Sequence, residues 1–522
     1  MTTNKLHNKE NTVELNTAQY IEILDTTLRD GEQTSGVSFA MQEKMSIARY
    51  LIEDLLVDRI EVASARVSTG EYEAVESICK WASEHGYLDK IEVLGFVDKG
   101  ESLEWIRKAG GRVVNLLCKG SFRHVTEQLG KTPQQHIDDI RKTVLQALSL
   151  NFDVNLYLED WSNGMIHSHE YVIQLIDALQ DLGIKRFMLP DTLGILTPNQ
   201  TYDFCKDMIA RYPNLRFDFH AHNDYDLAVA NTYAAIKSGI CGVHTTINGL
   251  GERAGNAPLT SVIAVLHDQM KLKTHIHEDK IFQISKLVET YSGIRIPNNK
   301  PIIGDNVFTQ CAGIHADGDA KNNLYCNDLA PERFGRIREY ALGKMSGKAN
   351  IRKNLEAIGI NLDEAEMKKV AERIIELGDK KQLVTPEELP YIVSDVLKHG
   401  QQQQRIKIIN YSLALTYGLR PAASVKIEID REMYEQTAVG DGQYNAFTKA
   451  LWKIYRDLGK TTPELLDYAV TIPPGGQTDA LVHTTITWKF NEKIFKTHGL
   501  DADQTEAAIK ATVKMLNQIE EM

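Results

Sequence analysis

The stretch EILDTTLRDGEQ, residues 22–33, begins as a strand and ends in charge. Ile23 and Leu24 run into Asp25 and two threonines, and then Arg29 and Asp30 stand side by side. The same shape recurs along the first half of the chain. The runs IEILDTT (21–27), RIEVASA (59–65), IEVLGFVD (91–98), RVVNLLCK (112–119), VNLYLED (154–160), RFMLPDT (186–192), RFDFHAHND (216–224) and GVHTTING (242–249) are apolar or β-branched and give way to polar residues. Segments such as MQEKMSIARYLIEDL (41–55) and PQQHIDDIRKTVLQALSL (133–150) lie between them, with apolar residues at helical spacing. Strands alternating with helices imply a parallel sheet. Eight such units in roughly 250 residues predict an α/β fold of the (β/α)8 TIM-barrel type, with a doubly wound open sheet as the competitor.

A barrel also predicts where function lies, because its working groups sit at the C-terminal ends of the strands. Those ends carry Arg29 and Asp30, Glu159 and Asp160, Asp191 and Thr192, and then His220, His222, Asn223 and Asp224. The strand starts read as plainer. In His220-Ala-His222 the two side chains are two apart on a strand and point to one face. Two imidazoles on one face are half of a metal site; the alternative is a pair of solvated or core-bonded histidines. In a closed eight-stranded ring only strand eight separates strands seven and one, so Asp30 can join them. Two imidazole nitrogens, a carboxylate oxygen and open positions suit a catalytic divalent ion such as zinc or manganese.

Arg29 then has a purpose. A 2-oxo acid held at such an ion develops alkoxide charge when a carbon nucleophile attacks its ketone, and a guanidinium stabilises that charge. The alternative is a structural ion pair with Glu32 or Asp30. Asp191-Thr192 could cap a helix, or Thr192 could offer its hydroxyl to a substrate carboxylate. GLGERAGN (249–256) lacks the Lys-Ser/Thr and the glycine spacing of a phosphate loop and reads as a tight turn.

Composition narrows the classes. The 522 residues are 43% hydrophobic and 25% charged, ordinary for a soluble globular chain. A net charge of −12 argues against nucleic acid and anionic membrane as partners, while leaving a small anionic substrate open. The six cysteines are scattered, with no C-x-x-C pair, so reduced thiols in a cytoplasm are expected. Residues 1–19 form a polar tail without the marks of a signal peptide, and no run of about 18 apolar residues could span a membrane.

The domain plan follows: a flexible tail (1–19), a catalytic barrel (20–284), helical linker subdomains (285–400) and a C-terminal α+β regulatory domain (401–522). The linker contains the Gly- and Asp-rich QCAGIHADGDAKNNLY (310–325) and an amphipathic helix, EAEMKKVAERIIELGD (364–379). KHGQQQQ (398–404) reads as a polar connector. The last domain looks like a weak duplication of a ββ-β-α module, over 424–455 and again over 480–516.

LDTTLRDGEQ (24–33), HAHNDYDLAVAN (220–231) and INGLGERAGNAPL (247–259) together resemble motifs of the DRE-TIM metallolyase superfamily. The resemblance is to its Claisen-type synthases, which make 2-isopropylmalate, homocitrate and citramalate, and it covers almost the whole chain. It implies an acyltransferase with acetyl-CoA as co-substrate and a zinc, manganese or magnesium ion. It implies that Asp30, His220 and His222 bind the ion with Asn256 as a further ligand, that Arg29 and Thr192 hold the 2-oxo acid, and that Glu159 supports acid-base chemistry. His315, in AGIHADG, would be the base that forms the acetyl-CoA enolate. Asn323, Leu324 and Tyr325 lie where the family has further acetyl-CoA and catalytic contacts. A domain-swapped homodimer is implied, with His315 serving the neighbouring subunit's barrel, and so is feedback by isoleucine, or else leucine, through the C-terminal domain.

The 2-oxo acids of this family differ mainly in alkyl size. One methylene is worth about 1–3 kcal/mol in an apolar pocket, so bulky lining residues are the practical filter. Leu94, Leu117 and Tyr157, near the ends of strands three to five, leave room for a methyl group and favour pyruvate over 2-oxoisovalerate. The alternative is that all three are ordinary barrel core. LYLEDWSNG (156–164) and ASARVSTG (63–70) also look closest to bacterial (R)-citramalate synthases. HAHNDYDL departs from the family's usual HCHND-Gly continuation but leaves the ligands intact. GDGQYNA (440–446) departs from the G-x-G-P pattern of many isopropylmalate synthases and leaves the effector's identity open. Two rival classes are a 3-hydroxyacyl-CoA lyase, which needs no large C-terminal module, and an inactive amino-acid sensor, which needs no metal ligands.

Overall fold

The strand Glu22–Asp25 (β1) pairs in parallel with Arg59–Ser64 (β2) on one side and with Gly242–Thr245 (β8) on the other. The second pairing closes the ring. Between them run Ile91–Phe96 (β3), Val113–Lys119 (β4), Asp153–Glu159 (β5), Arg186–Asp191 (β6) and Phe217–Ala221 (β7), each bonded to its sequence neighbour. The sheet is a closed eight-stranded parallel barrel rather than an open one. The computed structural model describes residues 20–64, 68–321, 324–344, 346–357, 360–379, 384, 389–397, 405–471, 482–491 and 493–520. The expected tail (1–19), the connector (398–404) and Asn323 lie outside the described residues.

Local chemistry sets the helices between the strands. Pro133–Ser149 and Pro198–Arg211 each start in a Thr-Pro pair. Thr132 and Thr197 accept the N–H of Gln135 and Gln200, and those glutamines bond back to the threonine N–H. Proline costs nothing at that position because its missing N–H has no helical partner to lose. The 41–55 segment is helical over Met41–Arg49 and then widens, with the Leu55 N–H reaching Tyr50 O at 2.8 Å.

Alternation along the strands decides what fills the ring. Toward the strand ends, Leu24, Leu94, Tyr157 and Met188 are buried against one another, with Phe96 and Leu117 beside them. The strand starts are not plain, as the sequence suggested. Arg59 donates to Glu92 at 2.8 Å and to Asp218 at 2.5 Å, while Arg186 and Arg216 reach Glu22 at 2.6 and 2.5 Å. Asn115 Nδ2 bridges Glu61 and Glu92 at 2.8 and 2.9 Å. An ion layer therefore plugs the N-terminal end of the barrel. In one dimension these residues look like charges flanking strands; only the ring's inward register makes them partners.

Contacts divide the chain into two compact units, one running through Phe308 with Cys326–Arg338 added, the other formed by Thr309–Tyr325 and the chain from Glu339 onward. In the second unit, helices Lys348–Ala357, Glu364–Asp379 and Leu389–Leu397 gather around Ile351, Leu355, Val370 and Ile374. Two three-stranded antiparallel sheets follow, and their helices share one core that includes Phe447, Leu451, Trp488 and Met515.

The duplication is present, but the order within each repeat is strand, hairpin, helix instead of hairpin, strand, helix. Ile406–Ala414 precedes the hairpin Ala422–Ile429/Glu432–Val439, and Glu464–Thr471 precedes Val482–Phe490/Lys493–Asp501. Only three residues separate the first hairpin from helix Gln443–Asp457, and Gly440 lies close against the start of that helix, where a Cβ would meet Ala446 N at 2.3 Å. No helix among the described residues is long and apolar enough to cross a membrane.

Removing one member of a buried ion cluster leaves the others uncompensated, at a cost of about 3–5 kcal/mol. Arg59→Ala strands Glu92 and Asp218 and is expected to lower the urea midpoint of the barrel's unfolding transition, followed by circular dichroism. An unchanged midpoint would show that the ion layer adds nothing to stability.

Candidate active site

His220 ends inward on β7, and His222, one residue past that strand, faces the same way with ring centroids 5.0 Å apart. Asp30 sits in the turn after β1, its N–H bonded to Thr26 O at 2.8 Å. Its Oδ2 lies 3.5 Å from His220 Nε2 and 3.9 Å from His222 Nε2. One ligand atom from each of the three falls within 4.8 Å of the others, and all three residues are buried. Closure of the ring thus brings together groups nearly two hundred residues apart in sequence.

Electrostatics suit a cation. Burial holds both imidazoles below their ordinary pKa, against the opposing pull of Asp30, so each is a neutral lone-pair donor. Burial by itself would raise the Asp30 carboxyl, but Arg29, His220, His222 and the Asn256 hydrogen bond hold it well below the usual carboxylate range. Asn256 Nδ2 donates to Asp30 Oδ1 at 2.9 Å, which leaves Asn256 Oδ1 buried without a hydrogen-bond partner. Two neutral imidazoles, a carboxylate and a bare amide oxygen are a donor set that fits a divalent ion.

The loop that delivers Asn256 is the tight turn expected over 249–256. Gly255 has φ +85°, and a Cβ on it would lie 2.0 Å from Gly249 O, so only glycine fits there.

Arg29 is held on three sides. It donates to Asp30 Oδ2 and to Glu61 Oε2, each at 2.6 Å, and to the Tyr157 hydroxyl at 3.2 Å. Glu32, one partner considered from sequence, instead bonds Lys44 at 2.6 Å. Glu61 was not among the sequence candidates. Fully buried, it also accepts from Thr26 Oγ1 and Asn115 Nδ2, both at 2.8 Å. The available signal was a carboxylate inside the strand run RIEVASA, two residues from Arg59 and so on the same face. His244 on β8 was missed too; its Nδ1 is 3.0 Å from the Tyr157 hydroxyl.

The other candidates fall into two groups. At the barrel mouth, Glu159 is ion-paired with Lys119 Nζ. Thr192 Oγ1 accepts the Asp160 N–H at 2.9 Å, while Asp191 takes the N–H groups of the loop residues Ile195 and Leu196 at 3.0 Å; neither caps a helix, since Thr197 caps the one that follows. Glu159 also lines a cavity of about 750 Å³ with Ser121, His124, Asp160, Asn163 and Leu193. Leu94 and Tyr157 are buried, and Leu117 is partly so. On the second unit, His315 is exposed with its ring 4.3 Å from that of Tyr325, and Leu324 and Tyr325 are exposed beside it.

Known proteins share this organisation along the whole chain. A family profile described as HMGL-like matches residues 20–288, one described as the homocitrate synthase post-HMGL domain matches 302–382, and one described as the LeuA allosteric (dimerisation) domain matches 383–520. A putative (R)-citramalate synthase of Methanopyrus kandleri is 32% identical over 504 residues, 96% of each chain. The (R)-citramalate synthase of Methanocaldococcus jannaschii is 33% identical over 502 residues, 96% of this chain and 99% of that one. The 2-isopropylmalate synthase of the same organism is 32% identical over 512 residues, 97% of this chain and 96% of that one. With the barrel, the His-Asp cluster and the duplicated C-terminal module in one chain, the protein belongs to the HMGL-like family, among its acyl-transferring citramalate and 2-isopropylmalate synthases.

Proposed function

We propose that this chain condenses acetyl-CoA with pyruvate and hydrolyses the thioester to give citramalate and CoA. The observation that carries the substrate choice is the apolar wall of Leu94, Leu117, Tyr157 and Met188 beside Arg29. It supports a cavity with room for a methyl group. The 2-isopropylmalate reading has its own support, since relatives of both names match at equal identity.

Asp30, His220 and His222, with Asn256, are the residues that hold a zinc, manganese or magnesium ion. Such an ion supplies Lewis-acid polarisation of the keto oxygen. The chain's own groups do the rest. Arg29 and Thr192 hold the 2-oxo acid, the Thr192 hydroxyl at its carboxylate. His315, supported by Glu159, takes a methyl proton from acetyl-CoA, and Asn323, Leu324 and Tyr325 supply further acetyl-CoA and catalytic contacts. The enolate carbon attacks the keto carbon, and the charge that develops on the keto oxygen meets the Arg29 guanidinium. Water then cleaves the thioester.

In our reading the protein is a cytoplasmic, domain-swapped homodimer in which His315 of one copy works on the barrel of the other. Residues 285–400 are the linker, and 401–522 sense isoleucine in preference to leucine. The LeuA-type match supports a dimer with an effector site.

Three measurements test this. In a thiol-release assay, kcat/KM for pyruvate is expected to exceed that for 2-oxoisovalerate by at least about tenfold. The reverse order would install the isopropylmalate reading, and the same assay titrated with isoleucine and leucine identifies the effector. His220→Ala is expected to lose bound metal by elemental analysis and at least about a hundredfold in kcat; retained metal at wild-type stoichiometry would overturn the ligand assignment. Arg29→Ala and His315→Ala are each expected to be inactive alone and to recover activity when co-expressed as mixed dimers. Absence of recovery would mean that His315 serves its own barrel.

A further inference from the structure

We infer that His244, on β8, is a positioning residue that fixes the Tyr157 hydroxyl as a hydrogen-bond acceptor for Arg29. The inference rests on the synthase reading above, in which Arg29 meets the developing charge.

His244 is fully buried inside the barrel and joins two layers of it. Its Nδ1 lies 3.0 Å from the Tyr157 hydroxyl, and its Nε2 lies 3.6 Å from Asp218 Oδ2. Asp218 belongs to the ion layer and takes an Arg59 N–H at 2.5 Å. Arg186 Nε also lies 3.6 Å from the same Asp218 oxygen, so two guanidinium groups face this carboxylate as an anion. An anion facing Nε2 favours the tautomer with the proton on that nitrogen. Nδ1 then carries the lone pair and can only accept.

A tyrosine hydroxyl has one proton to give, and two acceptors compete for this one. Nδ1 of His244 is at 3.0 Å and Oε2 of Glu61 at 3.5 Å. With the proton committed to His244, the lone pairs of Tyr157 face Arg29 Nη2, 3.2 Å away. Without His244 the hydroxyl turns to Glu61 Oε2. That oxygen already accepts from Arg29 Nε at 2.6 Å and from Thr26 Oγ1 at 2.8 Å. A third donor would contest the contact that aims the guanidinium. The histidine thus passes the fixed orientation of the ion layer up to the arginine, through Asp218 and Tyr157.

A double-mutant cycle tests the relay, run with whichever 2-oxo acid the wild-type protein turns over best. His244→Leu and Tyr157→Phe are each expected to lower kcat by about tenfold, as loss of an orienting partner does. KM for the 2-oxo acid should stay within about twofold, because the contact matters when charge develops. The double variant should be no slower than the slower single one. His244→Asn, whose amide oxygen can accept near the position of Nδ1, should recover part of the loss. Effects that multiply in the double variant, or a His244→Asn protein as slow as His244→Leu, would overturn the proposal and leave His244 as packing. Histidine nitrogen NMR needs neither turnover nor a variant that folds well. An unprotonated Nδ1 supports the relay even where no 2-oxo acid is turned over and the synthase reading fails; a protonated Nδ1 sinks it.

Discussion

Parallel pairing of β1 with β8 is the contact on which the site depends. Glu22 through Asp25 lie alongside Gly242 through Thr245, and the Thr26 N–H extends the ladder to Thr245 O at 2.9 Å. Only with that edge joined do the turn after β1 and the end of β7 stand two strands apart on one rim. In an open sheet β1 would end as an edge, with Asp30 remote from His220 and His222. The turn itself is anchored on both sides: Thr27 Oγ1 accepts the Ile247 N–H at 2.8 Å, and Thr34 Oγ1 exchanges hydrogen bonds with Gly251 at 2.8 and 3.1 Å. Thr27, inside LDTTLRDGEQ, and Thr34, just past it, therefore lock the loop that carries Arg29 and Asp30.

The interior of the barrel is unusually polar for a space closed to water. Arg59, Glu92, Asp218 and Asn115 form a connected layer beneath the apolar patch of Leu24, Leu94 and Met188. Apolar side chains of the same volume could be as stable, since taking charges out of water costs several kcal/mol per ion. What charges add is direction. A guanidinium between two carboxylates has one good orientation, and neighbours that bond to those carboxylates inherit it. Glu61 shares Asn115 with Glu92 on one side and holds Arg29 on the other, so the floor and the mouth of the barrel are one hydrogen-bonded body.

Much of this was legible in the sequence, for a physical reason. Strand ends in a barrel must hold the polar groups that act, so Arg29, Asp30, His220 and His222 announce themselves by interrupting apolar runs. Period-two spacing then puts both histidines on one face without further information. Glu61, His244 and the ion layer did not stand out, because a charge inside a strand looks the same whether it points to solvent or to the axis of the ring. Their meaning is relational: Asp218 is informative only once Arg59, far away in sequence, is known to face it. The repeat order in the C-terminal module was misjudged on similar grounds. IKIINYSLA alternates well enough to be a strand, but its partner Ala422–Ile429 lies beyond a loop that masks the pairing in one dimension.

The geometry also bears on how substrate size and rate are connected in the proposed reaction. In that proposal Tyr157 plays two parts at once: its ring is part of the wall that would limit the alkyl group, and its hydroxyl is bonded to Arg29 and His244. A change there alters the cavity and the support of the guanidinium together, so any gain in room comes with a loss in charge stabilisation. Leu94 and Leu117 carry no polar atom and belong only to the wall. They are the positions at which the cavity can be enlarged while the hydrogen-bonded body stays intact. A pocket built this way can drift in size through its leucines over many substitutions, whereas its tyrosine is bound to the chemistry. On that argument, relatives of different 2-oxo acid preference should differ first at the leucine positions and keep the arginine, its carboxylates and the proposed metal ligands unchanged.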